Sequence, residues 1–105
     1  MRNPNLERAL RNGIQRLYAF ENGRGASVVR NEFSYGHEEG LWELAVLKFQ
    51  GKGLLVYLLD YSTPITDDVI GYLTESEVDE LLARIEALPP VEVDEIGELA
   101  SELTM

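Results

Sequence analysis

After Pro4, apolar residues recur at Leu6, Ala9, Leu10, Ile14, Leu17 and Tyr18. Steps of three and four place them on one face of a helix, with Arg8, Arg11 and Arg16 mostly off it. Asn3 followed by Pro4 reads as an N-cap and a first helical residue. The pattern predicts a helix over residues 4–19, weakened by roughly 1 kcal/mol at Gly13. The turn Asn22-Gly23-Arg24-Gly25 would end it.

Periodicity then changes. Residues 26–33 are rich in β-formers around Val28 and Val29, 41–49 read "LWELAVLKF", and 54–61 read "LLVYLLDY". The last run is ambiguous by periodicity alone, but its length and flanking glycine favour a strand. A seven-residue loop, "SYGHEEG", joins the first two, and Gln50-Gly51-Lys52-Gly53 is a tight glycine turn between the others. Short links between consecutive strands imply an antiparallel meander.

Further along, Thr74 and Glu77 have the spacing of a capping box, and Leu73 and Val78 that of a hydrophobic staple. Val78, Leu81, Leu82, Ile85 and Leu88 form an apolar stripe that Pro89-Pro90 stops. A second helix is therefore expected here. Ile96, Leu99, Ala100 and Leu103 make one more short apolar face in the tail, too short to be stable alone. The expected fold is α+β: a three-stranded antiparallel meander packed with an N-terminal and a C-terminal helix (α-β-β-β-α). Residues 1–90 would form a single domain, and 91–105 an acidic tail, either frayed or docked as a short helix.

Charge adds a partner class. The chain has 105 residues and a net charge of -10, unevenly spread. Residues 1–24 hold five arginines against two glutamates; residues 60–105 hold thirteen acids against Arg84 alone. Such a surface disfavours direct binding to nucleic acid or anionic membrane and favours a protein with a basic surface. The basic N-terminal segment and the acidic tail also offer a route to self-association. No cysteine is present, which excludes disulfides, thiolate metal sites and a cysteine nucleophile. No apolar run resembles a signal or approaches the ~20 residues of a membrane span, so a cytoplasmic location is expected.

Candidate chemistry is sparse. In "TPITDDVIG", Asp67 and Asp68 are adjacent carboxylates, which point apart on an extended chain and lack calcium-loop spacing. Turn chemistry accounts for this stretch: Pro64 fixes the backbone, Thr66 or Asp67 caps a helical turn over 67–70, and Gly71 stops it. His37 is the only histidine, beside Glu38 and Glu39, and one histidine with carboxylates makes an unusual zinc site. The serines lie in no nucleophile elbow, and "NGRG" and "GKG" match no phosphate-binding loop. Aromatics on alternating strands are usually core or cross-strand pairs, the favoured reading for Trp42; Tyr35 and Trp42, if they face outward, would serve as interface anchors.

The motifs "SYG…EGLWELAVL" and "TPITDDVIGYLTE", within residues 26–88, resemble small proteins encoded in bacteriophages and prophages. The resemblance implies an accessory role but no defined activity, so it assigns no catalytic or binding residue. The expectation is a small acidic interaction protein, not an enzyme and without a cofactor, binding a host or defence protein. Its candidate surface is Tyr35, Trp42, Glu75, Asp79, Glu86, Asp94, Glu95 and Glu98. The alternative is a small-ligand or metal-binding protein using the Thr63–Asp68 turn, with His37, Glu38, Asp67 and Asp68 as ligands.

Overall fold

In a computed structural model the chain forms one antiparallel sheet and one α-helix, described for residues 1–51 and 53–91. The strands are β1 (Leu6–Leu10), β2 (Gly13–Ala19), β3 (Arg24–Arg30), β4 (Trp42–Phe49), β5 (Tyr57–Leu59) and β6 (Ile70–Leu73), followed by α1 (Glu75–Glu86). They lie in the order β1-β2-β3-β4-β5, and β6 also pairs with β4. One edge of β4 is taken by β3, so the other carries both short strands: β5 opposite Leu47–Phe49 and β6 opposite Trp42 and Leu44.

The expected three-stranded meander between two helices is therefore corrected to six strands and a single helix. The error lies in residues 4–19, which form the hairpin β1–β2 with Leu10 opposite Gly13. Its two turn residues, Arg11 and Asn12, both have positive φ (49° and 60°), as a two-residue primed turn requires. Helix-like spacing arose because β2 is buried on both faces. Leu17 and Tyr18 are adjacent, point to opposite sides, and are 0% and 1% exposed. The predicted 54–61 strand contracts to Tyr57–Leu59.

On one face of the sheet Tyr18, Ala26, Val28, Leu44 and Val46 meet Val78, Leu82 and Ile85 of α1 to form the core. Leu17 and Leu47 are buried on the other face, where Gln15 donates to the Ser27 hydroxyl (2.8 Å) and accepts from Arg8 (2.6 Å). The helix starts where the sequence places it. The Glu77 amide donates to Thr74 Oγ1 (3.2 Å) and the Thr74 amide donates to Glu77 Oε1 (3.0 Å). That second bond holds the Glu77 carboxyl below its ordinary range.

The β2–β3 turn fastens the far end of α1. Asn22 Nδ2 donates to the carbonyls of Ile85 (2.9 Å) and Leu88 (3.1 Å), and the Val91 amide donates to the Asn22 carbonyl. The bonded carbonyls of Ile85 and Leu88 lie in and just after the last turn, where no i+4 amide of the helix remains to reach them. Arg24 adds a bond to the Pro89 carbonyl (3.0 Å) and an ion pair with Asp60 (2.9 Å).

Asp60 is buried and also accepts from the Ser62 hydroxyl and amide. Burial pushes its carboxyl up, but the Ser62 bonds and the charges of Arg24 and Lys48 outweigh this and leave it below the ordinary value. A depressed carboxyl stabilises the fold above the unfolded pKa, about 3.9, and that contribution fades as pH falls through the lower folded value. Asp60→Asn is expected to lower stability by about 2 kcal/mol near pH 7. In thermal melts between pH 7 and 3 its gap to the parent should shrink with acid; a constant gap would show that Asp60 acts by shape alone.

Candidate interaction surface

The residues proposed as an acidic face are already engaged within the chain. The Arg2 amide donates to Asp79 Oδ1 (2.9 Å), and its guanidinium reaches Glu86 Oε2 (3.1 Å). The Met1 nitrogen lies 3.8 Å from Asp79 and 4.0 Å from Glu75. Glu75, Asp79 and Glu86 thus receive the first two residues of the chain, so part of their charge is already matched. Asp94, Glu95 and Glu98, with the predicted tail face, lie outside the described residues.

Trp42 is 2% exposed and belongs to the core, not the surface. Its ring is covered by two guanidiniums, Arg30 at 4.3 Å and Arg16 at 5.3 Å from the centroid. Its indole N–H has no hydrogen-bond partner among the described residues. A buried aromatic under two cations is a packing element, and it cannot anchor a partner in this fold.

Tyr35 is exposed, and it has company that the sequence did not reveal. The loop 31–41 folds back on β6, with the Tyr35 amide bound to Glu43 (2.7 Å) and the Tyr72 amide donating to the Tyr35 carbonyl (3.3 Å). Each tyrosine covers the other's neighbouring glycine. A Cβ on Gly71 would sit 2.5 Å from Tyr35 Cβ, and one on Gly36 would sit 3.0 Å from Tyr72 Cα. Tyr72 pays for this contact with φ of 58°, a left-handed conformation unfavourable by roughly 1–2 kcal/mol for such a residue.

Both rings remain 59% exposed, and Phe33 nearby is 68% exposed beneath the Arg11 guanidinium. Ser34, Tyr35, His37, Glu38, Glu39 and Tyr72 line a shallow cavity of about 200 Å³. A second exposed apolar group, Leu55, Val56, Leu58, Leu59 and Tyr61, follows β5 at the opposite end of β4.

The alternative ligand set is not assembled as a cation site. His37 Nδ1 is 3.0 Å from the Ser34 carbonyl, and Asp67 and Asp68 are exposed. Among the described residues no three histidine or carboxylate side chains gather where they could hold a metal ion. "TPITDD" is a turn, as its composition suggests: Thr66 Oγ1 accepts from the Asp68 amide (3.1 Å) and Asp68 Oδ1 from the Val69 amide (2.7 Å). The helical turn expected over 67–70 is absent, and Ile70 opens β6 instead.

No protein-family model, curated protein or solved structure gives a match to this chain. Among the described residues no helix is long and apolar enough to cross a membrane.

Proposed function

We propose that the chain is a non-enzymatic interaction protein whose aromatic end docks on a partner with basic groups. One observation carries this reading: Tyr72 is held in a strained left-handed conformation while it stays 59% exposed beside Tyr35. Strain of this kind is concentrated at working surfaces, and exposed tyrosines are preferred interface anchors. Glu38 and Glu39 rim the same cavity, so a lysine or arginine presented to it would meet ring faces and carboxylates together. The resemblance to phage and prophage proteins fits a host or defence protein as the target.

Tyr72→Gly separates this reading from simple packing. Glycine removes the ring but accepts the positive φ, so the unfolding midpoint should hold or rise. Partner capture from a host lysate should fall about tenfold or more and should weaken with added salt. Capture indifferent to both the substitution and ionic strength would refute the proposal.

A further inference from the structure

Strand β5 lies along the free edge of the sheet, with only β4 beside it among the described residues. Residues 54–59, "LLVYLL", contain no charge and no proline, the devices that normally protect such an edge. Side chains are open on both sides of the strand: Leu58 points to the helix face, and Leu59 to the opposite one, each 50% exposed. An apolar edge bare on both faces is a template for another strand.

The hydrogen bonds to β4 determine which peptide groups are available. Gln50 donates to the Val56 carbonyl (3.0 Å) and Asp60 to the Val46 carbonyl (2.8 Å). In an antiparallel ladder the alternation then turns the peptide groups of Val56, Leu58 and Asp60 toward β4. Those of Tyr57 and Leu59 turn outward, while Leu55 lies in the turn closed by the Val56 amide and the Gly53 carbonyl (3.4 Å).

The geometry points to a second copy of this chain as the occupant, paired antiparallel through β5 about a two-fold axis at Leu58. In that register Tyr57 and Leu59 exchange N–H···O bonds with Leu59 and Tyr57 of the second copy. Leu58 meets Leu58 as the close, non-hydrogen-bonded pair, with Cα atoms about 4.5 Å apart. Asp60, already matched by Arg24 within its own chain, faces Val56, so no like charges oppose each other. An isologous contact needs a self-complementary strip, and a charge-free apolar one meets that need. The contact would cover the exposed leucines and Tyr61. This surface is separate from the aromatic end, so either can exist without the other.

The absence of cysteine makes a clean test. Leu58→Cys in the full chain should convert most of the protein to a disulfide dimer under mild oxidation, since the expected spacing suits the bond. Ser76→Cys, on the exposed start of α1, should cross-link far more slowly. Sedimentation of the unmodified chain should show a concentration-dependent dimer, and Leu58→Lys, which sets two like charges face to face, should be a folded monomer by circular dichroism. A monomer at every concentration, a dimer indifferent to Leu58→Lys, or equal cross-linking of the two cysteine variants would overturn the inference. So would a Leu58→Cys/Leu99→Cys variant that closes its disulfide within one chain, which would make the chain's own tail the occupant.

Discussion

Trp42→Ala is expected to destabilise the protein by about 3–5 kcal/mol, the range for truncating a large buried aromatic. The ring is 2% exposed and belongs to the cluster formed with Leu44, Leu73, Leu81 and Leu82. Its loss opens a cavity at the corner where β4, β6 and α1 meet and also strips Arg16 and Arg30 of the surface they cover. Trp42→Phe should cost less than about 1.5 kcal/mol, because it keeps most of the packing and deletes an indole N–H that has no partner among the described residues. Denaturant midpoints for the two variants check this directly. A small effect of Trp42→Ala on stability, with a large one on partner binding, would return Trp42 to the surface role that the sequence suggested.

Gly25→Ala should be nearly as damaging, about 3 kcal/mol or more, at the upper end of overpacking. A Cβ there would lie 1.8 Å from the Tyr18 carbonyl oxygen and 2.7 Å from the Phe49 ring. The first contact is with backbone of the paired strand, opposite Ala19 in register, and cannot yield by rotating a side chain. Relief requires β2 and β3 to separate above the core. Gly40→Ala is the matched comparison: nothing lies within 4 Å of its Cβ, although φ is 73°, so only the backbone preference of roughly 1 kcal/mol is lost. Thermal melts of the pair should rank Gly25→Ala well below Gly40→Ala; equal losses would mean that the clash is relieved by an alternative β2–β3 register.

How much of this was legible depended on whether a signal was local. The start of α1 was readable because Thr74, Glu77, Leu73 and Val78 act on one another within a single turn. Strands β3 and β4 were readable from their β-branched and apolar content. The first hairpin was not, because burial on both faces replaced strict alternation by a spacing that imitates a helix. Its one local signal was Asn12-Gly13 after Arg11, where Gly13 was weighed as a flaw in a helix. In fact a Cβ at Gly13 would meet the Arg30 carbonyl at 2.0 Å, a constraint set by a strand seventeen residues away.

The candidate surface was legible in part for the same reason. Tyr35 stood out as an exposed aromatic, but its pairing with Tyr72 depends on β6 lying beside the 31–41 loop. Trp42, for which the core was the favoured alternative, is buried, while Tyr35 faces outward. The positive φ at Tyr72, next to the Gly71 expected to end the turn, could not be read at all, since a bulky residue rarely adopts it.

The division of one edge of β4 between two short strands has a consequence for how the native state breathes. Because β5 and β6 hold different stretches of β4, neither closure depends on the other, and the helix packs mainly on β3, β4 and β6. Three ladder residues are a small cooperative unit. The β5 edge is thus the place where the chain opens at least expense, exposing more backbone while the core under α1 stays shut.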